Sequence, residues 1–243
     1  MATVREALVK AIQANHPSWQ AVSDRFPEWV AVLNKFENVF TTNYDLILYW
    51  IKMSDPILTE TLDDGFRRPV GPSNDIHFHT FPNRGLYFLH GALHLYRPSR
   101  LGTLIKEHAR AKDYKVKDLS TLIRERISNG DIPLFVAEGD GLKKELFIQQ
   151  DDYLRKCHEH FRDISGTLVT YGISFENDEH LLKAIASNRY LSKIYIGMYD
   201  PNKLNFFLDL KKRIDALHTK VLTTNLNIDI FHTDSRYPLR KAG

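Results

Sequence analysis

One stretch, residues 38–50, constrains the fold of this 243-residue chain more than any other. It joins a short apolar segment, Val39-Phe40, to the polar turn Thr41-Thr-Asn-Tyr-Asp45 and then to apolar residues at helical spacing. This order predicts a buried strand, a turn and a helix that Asp45 caps. Ligands of open parallel sheets bind at the carboxyl ends of the strands, so Asn43 and Asp45 are candidate ligand-binding residues. The alternative is that both only turn and cap the chain.

Composition indicates a globular protein without disulfides or membrane spans. Hydrophobic residues make up 43% and charged residues 26%, which suits one large domain or one domain with an insertion. The single cysteine, Cys157, excludes an intramolecular disulfide and favours a reducing compartment, so we expect a cytoplasmic protein. No apolar run approaches the ~20 residues that cross a bilayer. The net charge of +3 is scattered and indicates neither nucleic acid nor a membrane as partner.

Two amphipathic helices, at about residues 1–14 and 21–36, are predicted before the first strand. A nucleotide-binding α/β unit normally opens with a strand and a glycine-rich turn, yet no glycine occurs before Gly65. We therefore expect the fold to lack that first strand and turn. Prolines and Asp-Gly turns predict a long loop or inserted module at about residues 54–85, and a helix is expected at about 101–128.

A second strand is predicted at residues 85–91, and it ends in His90-Gly91. It delivers an imidazole to the same sheet edge as Asn43 and Asp45. Imidazole suits a base because its unperturbed pKa lies close to the working pH, although a structural histidine is the alternative. His77 and His79 lie nearby, but no acidic residue stands at a recognised ligand spacing, so no metal site is expected.

The strand, turn and helix order recurs in residues 166–185, where Gly172-Ile-Ser174 leads into a helix that Asp178 caps. Ser174 and the N–H groups at the helix start suit a phosphate or ribose oxygen. A further strand at residues 193–199 ends at Asp200, which either holds ribose hydroxyls or only caps the next helix. The last strands are predicted within residues 220–231.

Two weaker signals leave alternatives open. The turn Glu138-Gly-Asp-Gly141 follows a strand at residues 132–137 and either cradles a phosphate or connects two elements. Gly172-Ile-Ser174 can also be read as a nucleophile elbow, with Asp200 or Asp229 and then His232 in the chain order of α/β-hydrolases. Glu176 stands where that elbow needs a small residue, which argues against the serine-hydrolase interpretation.

Three strand ends, Thr42-Asn43-Tyr44-Asp45, His90-Gly91 and Gly172-Ile-Ser174-Phe175 with Asp178, occur in an order that resembles the sirtuin-like NAD-binding superfamily. More narrowly, the chain resembles a bacterial branch catalogued as a domain of unknown function, whose relatives include NAD-consuming domains of anti-phage defence systems. Residues 133–139, Lys144 and 153–154 add to this closer likeness. The resemblance implies an α/β, Rossmann-like three-layer fold with a mostly parallel sheet, in a single domain over residues 1–243.

The resemblance also implies NAD as the substrate. Asn43 and Asp45 would engage the nicotinamide ribose and the attacking water, and His90 would act as base toward ribose hydroxyls. With water as acceptor the products are ADP-ribose and nicotinamide, so the expected activity is that of an NAD glycohydrolase. Positioned amide and carboxylate groups stabilise the oxocarbenium-like state of this reaction. The NAD-binding residues implied in the same way are Thr42, Asn43, Gly91, Gly172, Ser174 and Asp200, with Ser174 on the phosphate or adenosine side.

Two departures from the superfamily pattern limit these expectations. Protein-deacylating sirtuins carry a four-cysteine zinc module, so a chain with one cysteine is not expected to deacylate proteins. The missing glycine-rich loop implies either a start site upstream of Met1 or poor NAD binding. The alternative function is then a non-catalytic domain that binds a nucleotide, a partner protein or a second copy of itself. The expected small-molecule ligand is NAD or an ADP-ribose-like nucleotide, and no metal cofactor is expected.

Overall fold

A computed structural model describes residues 14–67, 76–80, 84–97, 102–108, 119–136, 141–222 and 225–233, together with Ala7, Lys10 and Ala11. The chain divides into two compact units, Met1–Glu138 with Phe147–Cys157 and Gly139–Leu146 with His158–Gly243. Each unit contains helices and parallel strands, so the protein has a mixed α/β fold. Among the described helices, none has the length and apolar character needed to span a membrane.

Short helices form much of the first unit, and aromatic residues join the earliest of them. The ring of Trp19 packs edge-on against Phe26 and Trp50, with centroid distances of 5.0 and 5.6 Å. The side chain of Asp55 caps the fourth helix by accepting a hydrogen bond from the N–H of Leu58 at 2.7 Å. Helices α1 to α5 span Trp19–Val22, Phe26–Leu33, Ile47–Ser54, Pro56–Thr61 and Leu119–Ser128, and a 3-10 turn covers Ser23–Arg25.

The strands of the first unit form two sheets of different type. β1 (Val39–Thr41) and β4 (Leu86–Phe88) pair in parallel. Five further strands span Phe66–Arg67 (β2), Ile76–Phe78 (β3), Gly91–Tyr96 (β5), Ile105–Lys106 (β6) and Pro133–Phe135 (β7). They form an antiparallel sheet in the order β2-β3-β6-β5-β7.

Gly91 lets the chain pass from the parallel pair into the antiparallel sheet. Its φ is +83°, a left-handed conformation that side chains with a Cβ rarely adopt. A Cβ at this position would lie 2.1 Å from the carbonyl oxygen of Leu134. Glycine is therefore required at the turn that follows His90.

The second unit is built around three strands, Gly166–Thr170 (β8), Leu191–Met198 (β9) and Asn227–His232 (β10). They pair in parallel in the order β8-β9-β10. Helix α8 (Glu179–Ala186) connects β8 to β9, and a 3-10 turn (Pro201–Lys203) with helix α9 (Leu204–Val221) connects β9 to β10. Two further helices, α6 (Gly141–Gln150) and α7 (Asp152–Arg162), are each divided between the units.

Apolar burial stabilises both units. In the first, Trp50, Leu58 and Leu86 are completely buried, and in the second the same holds for Ile194 and Phe207. Burying a large apolar side chain contributes about 1.5–3 kcal/mol, so these residues dominate the favourable side of folding.

The predicted mostly parallel sheet holds only in part. Parallel pairs occur in both units, but the largest sheet is antiparallel, and two of its strands come from the predicted loop at residues 54–85. That loop also contains helix α4. Asp55 caps the start of this helix, and Pro56 occupies its first turn. Residues 105–106 form a strand inside the predicted helix. The sequence did not indicate this strand, because two residues are too few to show a hydrophobic period.

The predicted beginning of the last strands at residue 220 is also wrong. Helix α9 continues to Val221, because Leu210, Ile214 and His218 recur every four residues and are all buried. The strand itself is β10, over Asn227–His232. The predicted turn at residues 138–140 lies outside the described residues, and helix α6 begins at Gly141.

Candidate functional site

The predicted site residues of the first unit follow two neighbouring parallel strands. Val39 aligns with Leu86 and Thr41 with Phe88, and the N–H of Leu89 donates to the carbonyl of Thr41 at 2.9 Å. The polar turn after β1 and the His90-Gly91 turn after β4 therefore leave the same edge. This is the carboxyl edge at which open parallel sheets bind ligands.

The polar turn is fixed by hydrogen bonds to its own side chains. The hydroxyl of Thr41 accepts from the N–H of Asn43 at 3.0 Å, and Asp45 Oδ1 accepts from the N–H of Ile47 at 2.9 Å. Thr42 and Asp45 are half-buried, whereas Asn43 is exposed. Burial raises the pKa of Asp45, although the Ile47 hydrogen bond acts in the opposite direction.

Tyr44 ties this turn to the antiparallel sheet, a role that the sequence analysis missed. Its hydroxyl donates to the carbonyl of Val136 at 2.6 Å, and its own carbonyl accepts from the N–H of Leu93 at 2.9 Å. The ring centroids of Tyr44 and His90 lie 6.4 Å apart. An aromatic residue within an otherwise polar turn was the available signal, because such a ring needs apolar neighbours.

His16 is a second residue that the sequence analysis missed. Its Nε2 accepts a hydrogen bond from the N–H of Leu46 at 2.8 Å, and its Nδ1 lies 2.8 Å from the carbonyl of Pro17. These two bonds require a neutral ring with the proton on Nδ1. The imidazole thus covers the start of α3 beside Asp45, and no local pattern indicates this contact across 30 positions.

His90 and Gly91 are both buried at the end of β4. The His90 residue is 4% exposed, and its carbonyl accepts from the N–H of Val136 at 2.9 Å. This hydrogen bond fixes the backbone of the turn against the strand β7. Gly91 has no side chain that could contact a ligand, and its observed role is to allow the tight turn after His90.

The predicted nucleotide-binding residues of the second unit also follow adjacent parallel strands. Gly172 and Ser174 come after β8, and Asp200 comes after β9. The loop after β8 contains two left-handed residues, Gly172 at φ +68° and Phe175 at φ +60°. Lys144 Nζ donates to the carbonyl of Asn177 at 2.9 Å and holds the end of this loop.

The members of the alternative serine-hydrolase triad have other partners. Ser174 Oγ accepts from the N–H of Glu176 at 3.4 Å, and Asp200 Oδ1 accepts from the N–H of Asn202 at 3.0 Å. Asp229 forms an ion pair with Lys193 at 3.0 Å. Within the described residues, no hydrogen bond joins Ser174 to His232. The geometry therefore gives no support to this alternative.

A buried charged cluster in the first unit was not predicted. Lys106 Nζ and Asp64 Oδ2 form an ion pair at 2.7 Å, and Lys52 Nζ donates to the carbonyl of Thr59 at 3.2 Å. Burial alone would raise the pKa of Asp64, but Lys106 and Lys52 outweigh it and lower this pKa to about 2. The sequence predicts only a turn at Asp64, because the cluster is assembled from segments that lie far apart along the chain.

His94 lies beside this cluster with no hydrogen-bond partner among the described residues for either ring nitrogen. It is completely buried and packs against the rings of Tyr49 and Phe88, at centroid distances of 4.7 and 5.0 Å. Burial, with the nearby Lys106, lowers the pKa of His94 to about 3, although Asp64 opposes the shift. The imidazole is therefore neutral at physiological pH.

The fold and these strand ends define a mixed α/β protein in which polar residues follow the carboxyl ends of parallel strands in each unit. Over residues 1–237 the sequence matches a family model described as Domain of unknown function (DUF4917), and the chain belongs to this family. No curated protein matches the chain.

Proposed function

We propose that this protein binds NAD and hydrolyses its nicotinamide–ribose bond, with Asn43, Asp45 and His90 as the reacting groups. The observation that carries the proposal is the parallel pairing of β1 with β4, which brings the two predicted turns to one sheet edge. The resemblance to the sirtuin-like superfamily supplies the reaction and, as its biological setting, bacterial defence against phage.

The proposed reaction needs three tasks from these residues. The nicotinamide–ribose bond breaks with its electron pair going to the nicotinamide nitrogen, and water adds to the ribose carbon to give ADP-ribose and a proton. The carboxylate of Asp45 stabilises the positive charge that develops on the ribose, and the exposed amide of Asn43 orients the ribose or the water. The imidazole of His90 interacts with ribose hydroxyls as a base.

The second unit provides a separate set of nucleotide contacts in this proposal. Ser174 and Asp200 follow neighbouring parallel strands, where hydroxyl and carboxylate groups suit phosphate and ribose oxygens. The proposal retains the Rossmann-like interpretation of the sequence, and the β8-β9-β10 order supports it, because helices connect consecutive parallel strands there.

A non-catalytic nucleotide-binding or partner-binding function is the second candidate, and a specific observation favours it. His90 is only 4% exposed, and Asp45 already accepts a hydrogen bond from the N–H of Ile47. Groups in this state can hold a fold together without reacting with a ligand.

Nicotinamide release from NAD by the full chain separates these candidates. Wild type is compared with Asn43→Ala and His90→Ala, and isothermal titration with NAD and ADP-ribose is run in parallel. Loss of the base should reduce the rate about a hundredfold to ten-thousandfold, and loss of the amide should also reduce it. The matched controls are Asn34→Ala and His79→Gln, which change an exposed amide and an exposed imidazole of the same unit.

The outcomes differ for each candidate. Release that depends on Asn43 and His90, with control variants at wild-type rates, supports hydrolysis. Tight binding of NAD or ADP-ribose without release supports the binding function instead. If the folded wild type binds neither NAD nor ADP-ribose and does not cleave NAD, hydrolysis and nucleotide binding both fail, and partner binding is the candidate that is left. Thermal melting of every variant shows whether a lost rate reflects a lost fold.

A further inference from the structure

A cavity of about 410 Å³ lies within the second unit. Its walls include Arg162, which comes just before β8, and residues 187–190, which come just before β9. Part of the cavity wall therefore adjoins the amino ends of these strands, and His180, in the first turn of α8, also lines the cavity.

Three cations from separate segments converge on this cavity. Arg162 comes from the end of α7, Lys183 from the last turn of α8, and Arg189 from the connection to β9. In the part of the chain that the structure describes, no ion pair joins any of them to a carboxylate. Cations with no carboxylate partner beside a concave surface are suited to bind an anion, and Arg in particular binds phosphate through paired N–H groups.

The other residues that line the cavity determine which chemical groups can accompany the anion. Tyr190 is 54% exposed, and the guanidinium of Arg189 lies 5.3 Å from the centroid of its ring, so a flat aromatic group can stack on the other side. Glu145 and Asp163 also line the cavity. Their carboxylates accept hydrogen bonds from hydroxyl or amino groups and repel additional negative charge, which favours a monophosphate over a polyphosphate.

We propose that this cavity is a second ligand site, which binds a phosphate monoester that carries a sugar and an aromatic base, that is, a nucleoside monophosphate. Its volume lies in the range of about 300–1,000 Å³ that small-molecule sites occupy. None of the residues proposed to contact NAD lines this cavity, so this second site does not depend on the proposed NAD chemistry.

The positions of Arg162 and Lys183 have a second explanation, which the experiment has to separate from ligand binding. Positive side chains stabilise helix C-termini through the helix dipole, and Arg162 and Lys183 both occupy last turns. In that role they would contribute to stability and would not bind a ligand. Both side chains are exposed, so replacing them leaves the core intact.

Isothermal titration of the full chain with AMP, adenosine and inorganic phosphate tests the proposal. AMP should bind more tightly than either of its parts. The double variant Arg162→Gln/Lys183→Gln should weaken AMP binding by about tenfold to a hundredfold for each charged hydrogen bond lost. The control Lys212→Gln/Lys220→Gln removes two exposed cations from α9 and should keep the wild-type affinity.

A further variant locates the ligand. Tyr190→Ala should weaken the binding of AMP and adenosine but leave that of phosphate unchanged. The proposal is overturned if wild type does not bind AMP. It is equally overturned if the double cation variant binds AMP as wild type does, whether or not its melting temperature falls.

Discussion

The replacement His94→Phe should remove a large part of the acid sensitivity of this protein. His94 is completely buried, neither ring nitrogen has a hydrogen-bond partner among the described residues, and its neighbours Tyr49 and Phe88 are aromatic. A phenyl ring matches the shape of this site without burying polar atoms. Leaving a buried polar group unpaired costs about 1–3 kcal/mol, so the variant should be at least as stable as wild type at neutral pH.

The expected size of the pH effect follows from the pKa of His94, which burial lowers from its ordinary 6.5 to about 3. Between these values the unfolded chain holds one more proton than the folded chain, so stability rises with pH. The free energy of unfolding therefore falls by about 1.4 kcal/mol for each pH unit below 6.5 until the folded pKa is reached. From pH 7.5 to 5.0, His94 should account for a loss of about 2 kcal/mol.

Urea unfolding at pH 7.5, 6.0 and 5.0 measures this contribution as the difference between wild type and His94→Phe. That difference should shift by about 2 kcal/mol in favour of the variant between the extreme pH values. His79→Gln, which changes an exposed histidine, is the control and should follow wild type. Parallel pH curves for wild type and His94→Phe would contradict the argument, because they would show that His94 binds protons equally in both states.

Two other changes test the structural reasoning by the same urea measurement. Lys106→Met removes the ion-pair partner of the buried Asp64 carboxylate and should lower the free energy of unfolding by about 3–5 kcal/mol. The added change Asp64→Leu should restore most of this loss. If it restores none, the pairing is contradicted. Gly91→Ala should lower the free energy of unfolding by about 3 kcal/mol or more, because its Cβ would overlap the carbonyl of Leu134. Gly130 also has a positive φ but lies in open space, so Gly130→Ala should lower it by only about 1 kcal/mol. Equal costs for the two glycines would show that the overlap is relieved.

The sequence determined the local parts of the candidate site. The turn Thr41–Asp45 follows a strand and precedes a helix, His90 follows a strand, and Ser174 lies between β8 and α8, as the patterns predicted. Such patterns are readable because strand and helix periods, turn residues and caps depend on neighbours within a few positions of the chain. The same reasoning predicted that polar residues stand at strand ends.

Tertiary structure alone decided which strands pair and what the polar residues contact. No sequence pattern in residues 85–96 indicates that β4 pairs with β1 in parallel, whereas β5, one turn later, belongs to an antiparallel sheet. The hydrogen bond from Leu46 to His16 spans 30 positions, and the ion pair between Lys106 and Asp64 spans 42. Contacts of this length arise when the whole chain closes on itself and buries its core, so no short window of sequence records them.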